Sequence, residues 1–194
     1  MNNREFFVHP NALVASDRIG KGSRIWAFSN VQKDVVIGED CNICDHCFVE
    51  SHVTIGHRVT VKNGVSLWDG MTIEDNVFIG PNAVFTNDIY PRSKVYHQEP
   101  DRTLLKEGCT IGANAVVVAG HTIGRWALIG AGAVVTKDVP DFTLWFGNPA
   151  RFAAYICKCA ERLSFNQSAQ GQKSVRCSCG LSYHLVNGLV VPAQ

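Results

Sequence analysis

Two pairs of cysteines near the C-terminus have a composition that suits a metal ion. Cys157 and Cys159 flank one lysine, and Cys177 and Cys179 flank one serine. Four thiols in two close pairs are the ligand set of a structural zinc site. The usual knuckle places two residues between its cysteines, whereas these pairs have one. We expect either a structural zinc site or free thiols in an appendage without metal.

A histidine, His121, is the best candidate for a group that takes up a proton. Imidazole changes its charge near neutral pH, so a histidine can act as a general base. His121 also occupies a position of a six-residue repeat where other copies carry alanine, valine or cysteine. A structural histidine with satisfied hydrogen bonds is the alternative reading.

A second set of polar residues recurs at a spacing of 18. Trp68 and Asp69 are followed 18 residues later by Thr86 and Asn87. In a coil of 18 residues these side chains stack on one outer face, and an aromatic ring beside polar groups suits a sugar. The alternative is that Asp69 and Asn87 only cap turns. Two nearby acids are weaker substrate-binding candidates, namely Glu74 and Asp88.

The element that must position these side chains is the repeat itself. Every sixth residue from Ile25 to Phe85 is isoleucine, valine, leucine or phenylalanine, and the residue four later is small or of medium size. A hexapeptide period is typical of a parallel β-helix. Three hexads make one triangular coil, and successive coils stack at roughly 4.8 Å. We therefore predict an all-β parallel β-helix, with small residues at its corners.

The rhythm divides the rest of the chain. It breaks at residues 86–110, a polar stretch long enough to be a functional loop, and resumes in phase at Ile111. A turn and a short helix are expected around Pro149-Ala150-Arg151. We predict one β-helix domain over residues 1–150 and a C-terminal helix and cysteine-rich tail over residues 151–194.

Composition leaves few other classes open. The net charge of +1 gives no reason to expect nucleic acid as a partner, and no window is apolar enough to span a membrane. The first residues lack an apolar signal stretch. We expect a cytoplasmic protein. Cys41 and Cys47 fall at small corner positions, where a thiol is a compact apolar group.

The hexads, the segment VFIGPNAVFTND and the closing VTKDVPDFTLWFGNPAR resemble the left-handed β-helix acyltransferases. Within that family they are similar to enzymes that acetylate a 3-amino group on dTDP- or UDP-linked sugars. The resemblance covers roughly residues 8–155. It implies a left-handed coil, a homotrimer, acetyl-CoA as the acyl donor and active sites between neighbouring subunits.

The resemblance also implies roles for individual residues. It places Asn87 beside the sugar and CoA along late coils, around Gly112, Ala113, Ala119 and Ala131. Lys137 and Arg151 could meet phosphates as the chain leaves the prism, with ordinary surface charge as the alternative. For the nucleotide, the candidates are Arg24 and Trp26.

We predict an acetyl-CoA-dependent N-acetyltransferase for cell-surface polysaccharide, lipopolysaccharide included. His121 would be its base unless the sugar amine is already free. The first alternative is a sugar O-acetyltransferase on the same scaffold. A γ-class carbonic anhydrase needs grouped histidines, but 18 residues beyond His46, His52 and His57 the chain has glycine, glycine and aspartate. A solenoid that only binds a partner is the third alternative.

Overall fold

Each hexad folds as a two-residue strand followed by a corner. The computed structural model describes residues 5–95, 99–167 and 173–193, and within them it consists of strands and turns without a helix. The second residue of each solenoid strand points inward: Ile25, Ile43 and Leu67 are fully buried. The strands stack in parallel as three sheets, the second of which is divided in two, around one continuous apolar core. The predicted fold class, a β-helix of hexapeptide repeats, is confirmed.

The three sheets are the faces of the prism. The parallel strands of the first sheet are β1 (Phe7–Val8), β3 (Arg24–Ile25), β6 (Asn42–Ile43), β9 (Thr60–Val61), β12 (Phe78–Ile79), β15 (Thr110–Ile111), β18 (Leu128–Ile129) and β20 (Thr143–Phe146). The second sheet contains β2 (Leu13–Val14), β4 (Asn30–Val31), β7 (Phe48–Val49) and β10 (Ser66–Leu67), then β13 (Val84–Phe85), β16 (Val116–Val117) and β19 (Val134–Val135). The third sheet contains β5 (Val36–Ile37), β8 (Thr54–Ile55), β11 (Thr72–Ile73), β14 (Leu104–Leu105) and β17 (Thr122–Ile123).

The corners explain much of the polar composition. The residue three positions after an inward aliphatic has a positive φ, for example 54° at Asp40, 59° at His46 and 65° at His52. This left-handed conformation favours glycine, asparagine, aspartate and histidine over other residues. His46 and His52 therefore occupy turn positions of the repeat. The next residue is the small corner residue, and Cys41, Cys47 and Val53 are buried there as predicted.

The predicted loop is too long at its C-terminal end. Leu105 is fully buried in β14, six residues before Ile111, and Cys109 is fully buried at the following corner. The repeat therefore resumes at Leu104, and the excursion covers residues 86–103. Leu104 and Leu105 are a single aliphatic pair between polar segments. One such pair does not reveal a repeat, although Leu105 is in phase with Ile111.

The predicted short helix at Pro149-Ala150-Arg151 is wrong. Strand β21 (Arg151–Ile156) turns back antiparallel to β20, and β22 (Arg162–Leu163) follows it. Side chains alternate between the two faces of β21, so that Ile156 points inward. Pairing with β20 satisfies the backbone hydrogen-bonding groups of the strand.

The tail forms a sheet of its own. Its strands are β23 (Asn166–Gln167), β24 (Lys173–Arg176), β25 (Ser182–Val186) and β26 (Leu189–Pro192). A second apolar cluster joins this sheet to the last coil, with Tyr183 packed against Phe142. The division into two domains at residue 150 stays a prediction. None of the residues that the structure describes lies in a helix able to cross a membrane.

Candidate active site

One corner of the prism collects several of the predicted site residues. Asp69 follows β10, Asn87 follows β13 and Ala119 follows β16, so all three lie where the chain turns from the second sheet to the third. We call this the second-to-third corner. The excursion of residues 86–103 leaves and returns there, because it joins β13 to β14.

His121 lies at the same corner, immediately before β17. Thr103 holds the equivalent position before β14, and the amide of Leu104 donates to the His121 carbonyl at 3.2 Å. A Cβ atom placed on Gly120 would lie 3.9 Å from the Cβ of Asp101 in the excursion. The predicted base is therefore next to the loop, one coil beyond Thr103.

The excursion encloses a cavity of about 520 Å³, which we call the loop cavity. Its lining is acidic. Five of the described lining residues carry a carboxylate, and Arg92 is the one that carries a positive charge. The lining residues are Glu50, Asp69, Asn87, Asp88, Pro91, Arg92, Val95, Glu99, Pro100 and Asp101. Such a cavity favours a cationic ligand group, for example an ammonium ion.

Asp69 is held in place through its carboxylate and through its backbone. Its Oδ2 atom lies 3.1 Å from Nδ1 of His52, and its backbone amide donates to Glu50 at 2.9 Å. Both partners come from the preceding coil. Glu50 is 18 residues before Trp68, so counting places it next to Asp69, whereas it does not predict the contact with His52.

Trp68 and Thr86 have structural contacts at the root of this cavity. The indole N–H of Trp68 donates to the Phe85 carbonyl at 2.6 Å, and its ring packs on Phe48 with centroids 5.6 Å apart. The Thr86 hydroxyl accepts the amide of Ala119 at 2.9 Å. Neither residue lines the loop cavity, so the sugar-stacking role expected for Trp68 has no support from its position.

Trp68 also marks an interruption of the second sheet. In the neighbouring coils the equivalent backbone amide donates a hydrogen bond to a carbonyl of the next coil, as Glu50 does to Leu67 and Thr86 does to Val117. At Trp68 the indole N–H, in place of the backbone amide, donates to the Phe85 carbonyl. The sheet divides at this point, between β10 and β13. The first and third sheets continue without a break at this level.

His121 has an acidic neighbour that the 18-residue spacing of the coils does not predict. Its Nδ1 atom lies 3.6 Å from Oδ1 of Asp138, which also accepts the Thr122 amide at 2.8 Å. This contact arises because the last coil is short. Ile123 pairs with Val139, sixteen residues further on, whereas earlier coils repeat after eighteen. Asp138 is consequently beside Thr122 and can reach His121.

The residues predicted to bind CoA do not share one place. Gly112, Ala113 and Ala131 lie at the corner between the first and second sheets. A Cβ atom on Gly112 would lie only 2.5 Å from the amide nitrogen of Ala131, so stacking alone requires glycine there. Ala119 is on the second-to-third corner, and its amide is already bonded to Thr86.

The predicted phosphate ligands lie near the end of the solenoid. Lys137 Nζ is 5.1 Å from the centroid of the Trp145 ring. Arg151 begins β21, and its guanidinium donates to the Ala150 carbonyl.

The remaining predicted substrate residues are away from the loop cavity. Trp26 and Arg24 belong to an early coil of the first sheet, where the Trp26 indole donates to Asn42 at 2.7 Å. Glu74 follows β11 at another corner and accepts the amide of Glu107 at 2.8 Å. In the part of the chain that the structure describes, none of these three residues contacts Asp69 or His121.

The four tail cysteines converge. Their sulfur atoms all lie within 4.8 Å of one another, with 3.4 Å between Cys157 and Cys179 and 3.5 Å between Cys159 and Cys177. Tetrahedral zinc with sulfur at about 2.3 Å requires sulfur separations of about 3.8 Å. Among the residues that the structure describes, this is the one group of three or more potential ligands close enough to hold a metal.

The two cysteine pairs have the same backbone geometry. The amide of Cys157 donates to Glu161, and the amide of Ala160 donates back to the Cys157 carbonyl. Cys177 bonds in the same way with the residues that follow it, and both turns close on a residue with positive φ, Ala160 at 69° and Gly180 at 93°. Each pair thus lies on a turn between two antiparallel strands, and the one-residue spacing fits this turn.

Hydrogen bonds also favour a thiolate at Cys157. Burial opposes ionisation of this thiol, but the backbone of Cys159 and the hydroxyl of Tyr183, 3.1 Å away, outweigh it and lower its pKa to about 7. Since metal ligands must be deprotonated, the donor set fits zinc.

Comparison with known proteins gives two family matches. The family described as bacterial transferase hexapeptide (six repeats) matches residues 18–51 and 102–137. The hexapeptide repeat of succinyl-transferase matches residues 70–86.

One relative matches almost the whole chain. It is dTDP-3-amino-3,6-dideoxy-alpha-D-galactopyranose 3-N-acetyltransferase of Aneurinibacillus thermoaerophilus, 53% identical over 186 residues, which are 95% of this chain and 93% of the relative.

Two solved structures share the fold. A variant of AntD, an N-acyltransferase from Bacillus cereus in complex with dTDP and coenzyme A, aligns with a TM-score of 0.59 at 16% identity, over 79% of this chain and 84% of its own. A hexapeptide-repeat acetyltransferase from Vibrio cholerae complexed with acetyl coenzyme A has a TM-score of 0.54 and 29% identity, over 60% and 68%.

Proposed function

Because the chain belongs to the bacterial hexapeptide-repeat transferases, we propose that it is an acetyl-CoA-dependent N-acetyltransferase. Its acceptor is the 3-amino group of a nucleotide-linked deoxy sugar. The observation that carries this proposal is the 53% identity, over 95% of the chain, to a dTDP-amino-sugar 3-N-acetyltransferase. That relative makes a dTDP-linked sugar the first substrate to test, ahead of a UDP-linked one.

The acidic loop cavity supports an amino sugar as the acceptor. Asp69, Asp88 and Asp101 would attract a protonated amine and hold it near the second-to-third corner. Asn87 offers both a donor and an acceptor to the sugar hydroxyls. A sugar that carries a carboxylate would meet like charge here, so a uronic acid is a poorer fit than a deoxy sugar.

The reaction requires a free amine and a place for one proton. The amine nitrogen attacks the thioester carbonyl, the C–S bond breaks, and the products are the amide, the CoA thiolate and the proton lost by the nitrogen, which finally protonates the thiolate. In this proposal His121 accepts that proton from the attacking nitrogen, and Asp138 stabilises the imidazolium that results. His121 is the catalytic residue, and Asp138 is a positioning residue.

We propose that the chain works as a homotrimer. The outward side of the second sheet is mostly apolar, with Leu13 69% and Val84 48% exposed, and Asn30 and Ser66 are its polar members. The other apolar side chains in this column are half-buried: Phe48, Val116 and Val134. This face adjoins the corner that carries the loop cavity, so a second copy would cover apolar surface and complete the site. Sedimentation that shows only monomer at micromolar concentration would contradict this proposal.

We also propose that the four tail cysteines bind one structural zinc ion. Cys157, Cys159, Cys177 and Cys179 would hold it and neutralise their own charge repulsion in doing so. The ion would tie β21 and β22 to β24 and β25 across the two matching turns. Its role would be to fold the tail, since four protein ligands leave no open position for a substrate.

The direct test is a substrate screen read by thiol release. Acetyl-CoA is offered with dTDP- and UDP-linked 3-amino-3,6-dideoxy sugars, and with the matching sugar that has a 3-hydroxyl group. We expect turnover with an amino sugar, the dTDP form being preferred, and none with the hydroxyl analogue. Turnover only with the hydroxyl analogue would establish an O-acetyltransferase instead. A product of this kind would be made in the cytoplasm, where acetyl-CoA is available, for later use in surface polysaccharide.

A further inference from the structure

Two sulfur contacts cross between the turns that carry the tail cysteines. We call the turns of residues 157–161 and 177–181 the cysteine turns, and each is closed by the amide of its first cysteine. Sγ of Cys157 lies 3.4 Å from Sγ of Cys179, and Sγ of Cys159 lies 3.5 Å from Sγ of Cys177. Each contact therefore joins a sulfur of the first cysteine turn to a sulfur of the second.

Each contact pairs one buried cysteine with one exposed cysteine. Cys157 and Cys177 are 1% and 6% exposed, whereas Cys159 and Cys179 belong to the exposed class. An oxidant in solution therefore meets the sulfur of Cys159 or Cys179 first, and the buried sulfur of the opposite turn is next to it. A reactive thiol beside a second thiol that can displace it is typical of a redox-sensitive site.

Hydrogen bonds fix the two buried sulfur atoms. Sγ of Cys157 lies 3.1 Å from the Tyr183 hydroxyl, and the thiol of Cys177 donates to a carboxylate oxygen of Glu161 at 3.2 Å. Glu161 belongs to the first cysteine turn, so this bond also crosses between the turns. In the metal-free protein its carboxylate can accept the proton that Cys177 loses when its sulfur reacts.

The solenoid cysteines provide an internal contrast. Cys41, Cys44, Cys47 and Cys109 are all buried. The thiols of Cys41 and Cys47 donate to backbone carbonyls of the next coil, at 3.0 Å and 3.2 Å. An oxidant finds no exposed sulfur among these four, so we expect them to stay as thiols in the folded protein.

We propose that the tail cysteines are a redox modification site, which a peroxide converts to two disulfides, Cys157–Cys179 and Cys159–Cys177. The inference depends on the arrangement of the four sulfur atoms, and it is independent of the proposed acetyl transfer. With zinc bound, all four sulfurs would be thiolates, which is the form that attacks an oxidant.

Each disulfide consumes one peroxide molecule. The exposed thiolate attacks a peroxide oxygen, the O–O bond breaks, hydroxide leaves and a sulfenic acid forms. The buried thiolate of the opposite turn then attacks the sulfenic sulfur, and the S–S bond forms as the S–O bond breaks. Two electrons pass from the sulfurs to the peroxide, and two protons from solvent convert both hydroxide ions to water.

The oxidised tail should remain folded. Zinc and the two disulfides would connect the same two cysteine turns, one between β21 and β22 and the other between β24 and β25. Oxidation removes the thiolate ligands, so a bound zinc ion would be released while the turns stay joined. Reduction followed by addition of zinc should restore the first state.

The test maps disulfides in the full-length protein after treatment with hydrogen peroxide. We expect the intact mass to fall by four hydrogen atoms, and peptide mapping in acid to identify the two disulfides that cross between the turns. Zinc release is followed with a chromophoric chelator. The oxidised, metal-free protein should have a higher Tm than the reduced, metal-free protein, because cross-links restrict the unfolded chain.

Two serine variants form a matched pair. Cys159→Ser should lose only two hydrogen atoms and contain the Cys157–Cys179 disulfide alone. Cys44→Ser, in the solenoid, should form both disulfides as wild type does. The map of the wild-type protein decides the question even where a variant fails to fold.

Several outcomes would overturn the inference. Disulfides within one turn, such as Cys157–Cys159, or disulfides between two chains would contradict the assigned contacts. Sulfinic or sulfonic acids in place of disulfides would show that the buried sulfurs do not react with their partners. Absence of turnover with every amino sugar would count against acetyl transfer alone, since the disulfide map does not depend on activity.

Discussion

Nδ1 of His121 lies 3.6 Å from a carboxylate oxygen of Asp138 on the following coil. The imidazole is 25% exposed, whereas the carboxylate is 72% exposed and also accepts the Thr122 amide. The backbone contact fixes Asp138 and so gives the imidazole an oriented acidic neighbour. This arrangement matches the pairing of a base with a third group that orients it.

His121→Asn tests the base. We expect kcat to fall by roughly 10²–10⁴, the usual contribution of a positioned general base. The KM of acetyl-CoA should change little. A structural imidazole would behave differently, since its loss would lower the Tm and leave low-temperature activity intact. A variant with near-normal kcat and an unchanged pH–rate profile would show that the sugar amine is already free when it reacts.

Asp138→Asn tests the orienting carboxylate. The amide side chain keeps an acceptor for Thr122 but loses the charge. We expect kcat to fall only about three- to tenfold, because the carboxylate is largely exposed. The KM of the amino sugar should stay the same. In a His121→Asn background, Asp138→Asn should have no further effect on kcat. An equal effect in both backgrounds would mean that Asp138 does not act through His121.

Asp69→Asn tests the acidic cavity, and the chain offers a matched control. Asp69 and Asp75 are 42% and 40% exposed, and each contacts a basic side chain of the preceding coil, His52 or Arg58. Only Asp69 lines the loop cavity. We expect Asp69→Asn to lower kcat/KM for the amino sugar about ten- to a hundredfold, as for the loss of a charged hydrogen bond. Asp75→Asn should leave it near wild type, and similar losses in both would count against the cavity.

Thiol reactivity tests the zinc proposal. Burial raises the pKa of Cys41, Cys44, Cys47 and Cys109, that of Cys47 to about 11, so these four are thiols and unreactive at pH 8. The other four cysteines are in the tail, where Cys159 and Cys179 are exposed, and unfolding of the tail after loss of the ion would expose all four. We expect one zinc per chain by metal analysis, and four rapidly modified cysteines after chelation. All eight should react only after denaturation.

The same measurement has a clear opposing outcome. If the purified protein contains no metal and zinc neither protects the tail cysteines nor raises the Tm, the tail sheet folds on its apolar cluster alone. Cys157→Ser should remove zinc binding and lower the Tm if the metal folds the tail. A matched Cys44→Ser, in the solenoid, should leave the zinc content unchanged.

Much of the fold could be predicted because one period governs it. An aliphatic residue every six positions and a small residue four later determine the prism, and Ile25 or Val53 could be placed in the core from spacing alone. Leu105 was missed because one hexad between polar segments does not reveal a period. The helix expected at Pro149 was wrong because pairing with β20 outweighs a local turn signal.

The site was less predictable, since it depends on departures from the period. Asp69 and Asn87 stack at one corner, as their spacing of 18 predicts, but counting could not connect His121 with them across the excursion. Asp138 could not be found by counting in eighteens, because the coil that carries it has lost two residues. The period also says nothing about side-chain direction, and Trp68 turns its indole to a backbone carbonyl instead of the cavity.

The interrupted second sheet has a mechanical consequence. A solenoid is a rod that is stiffened by the backbone hydrogen bonds of its three parallel sheets. Between β10 and β13 only two of these sheets are continuous. Bending and twisting will concentrate at that rung, which carries Asp69 on one side and Asn87 on the other. The solenoid is therefore most compliant beside the cavity proposed to bind the substrate, while the stacks above and below it remain rigid.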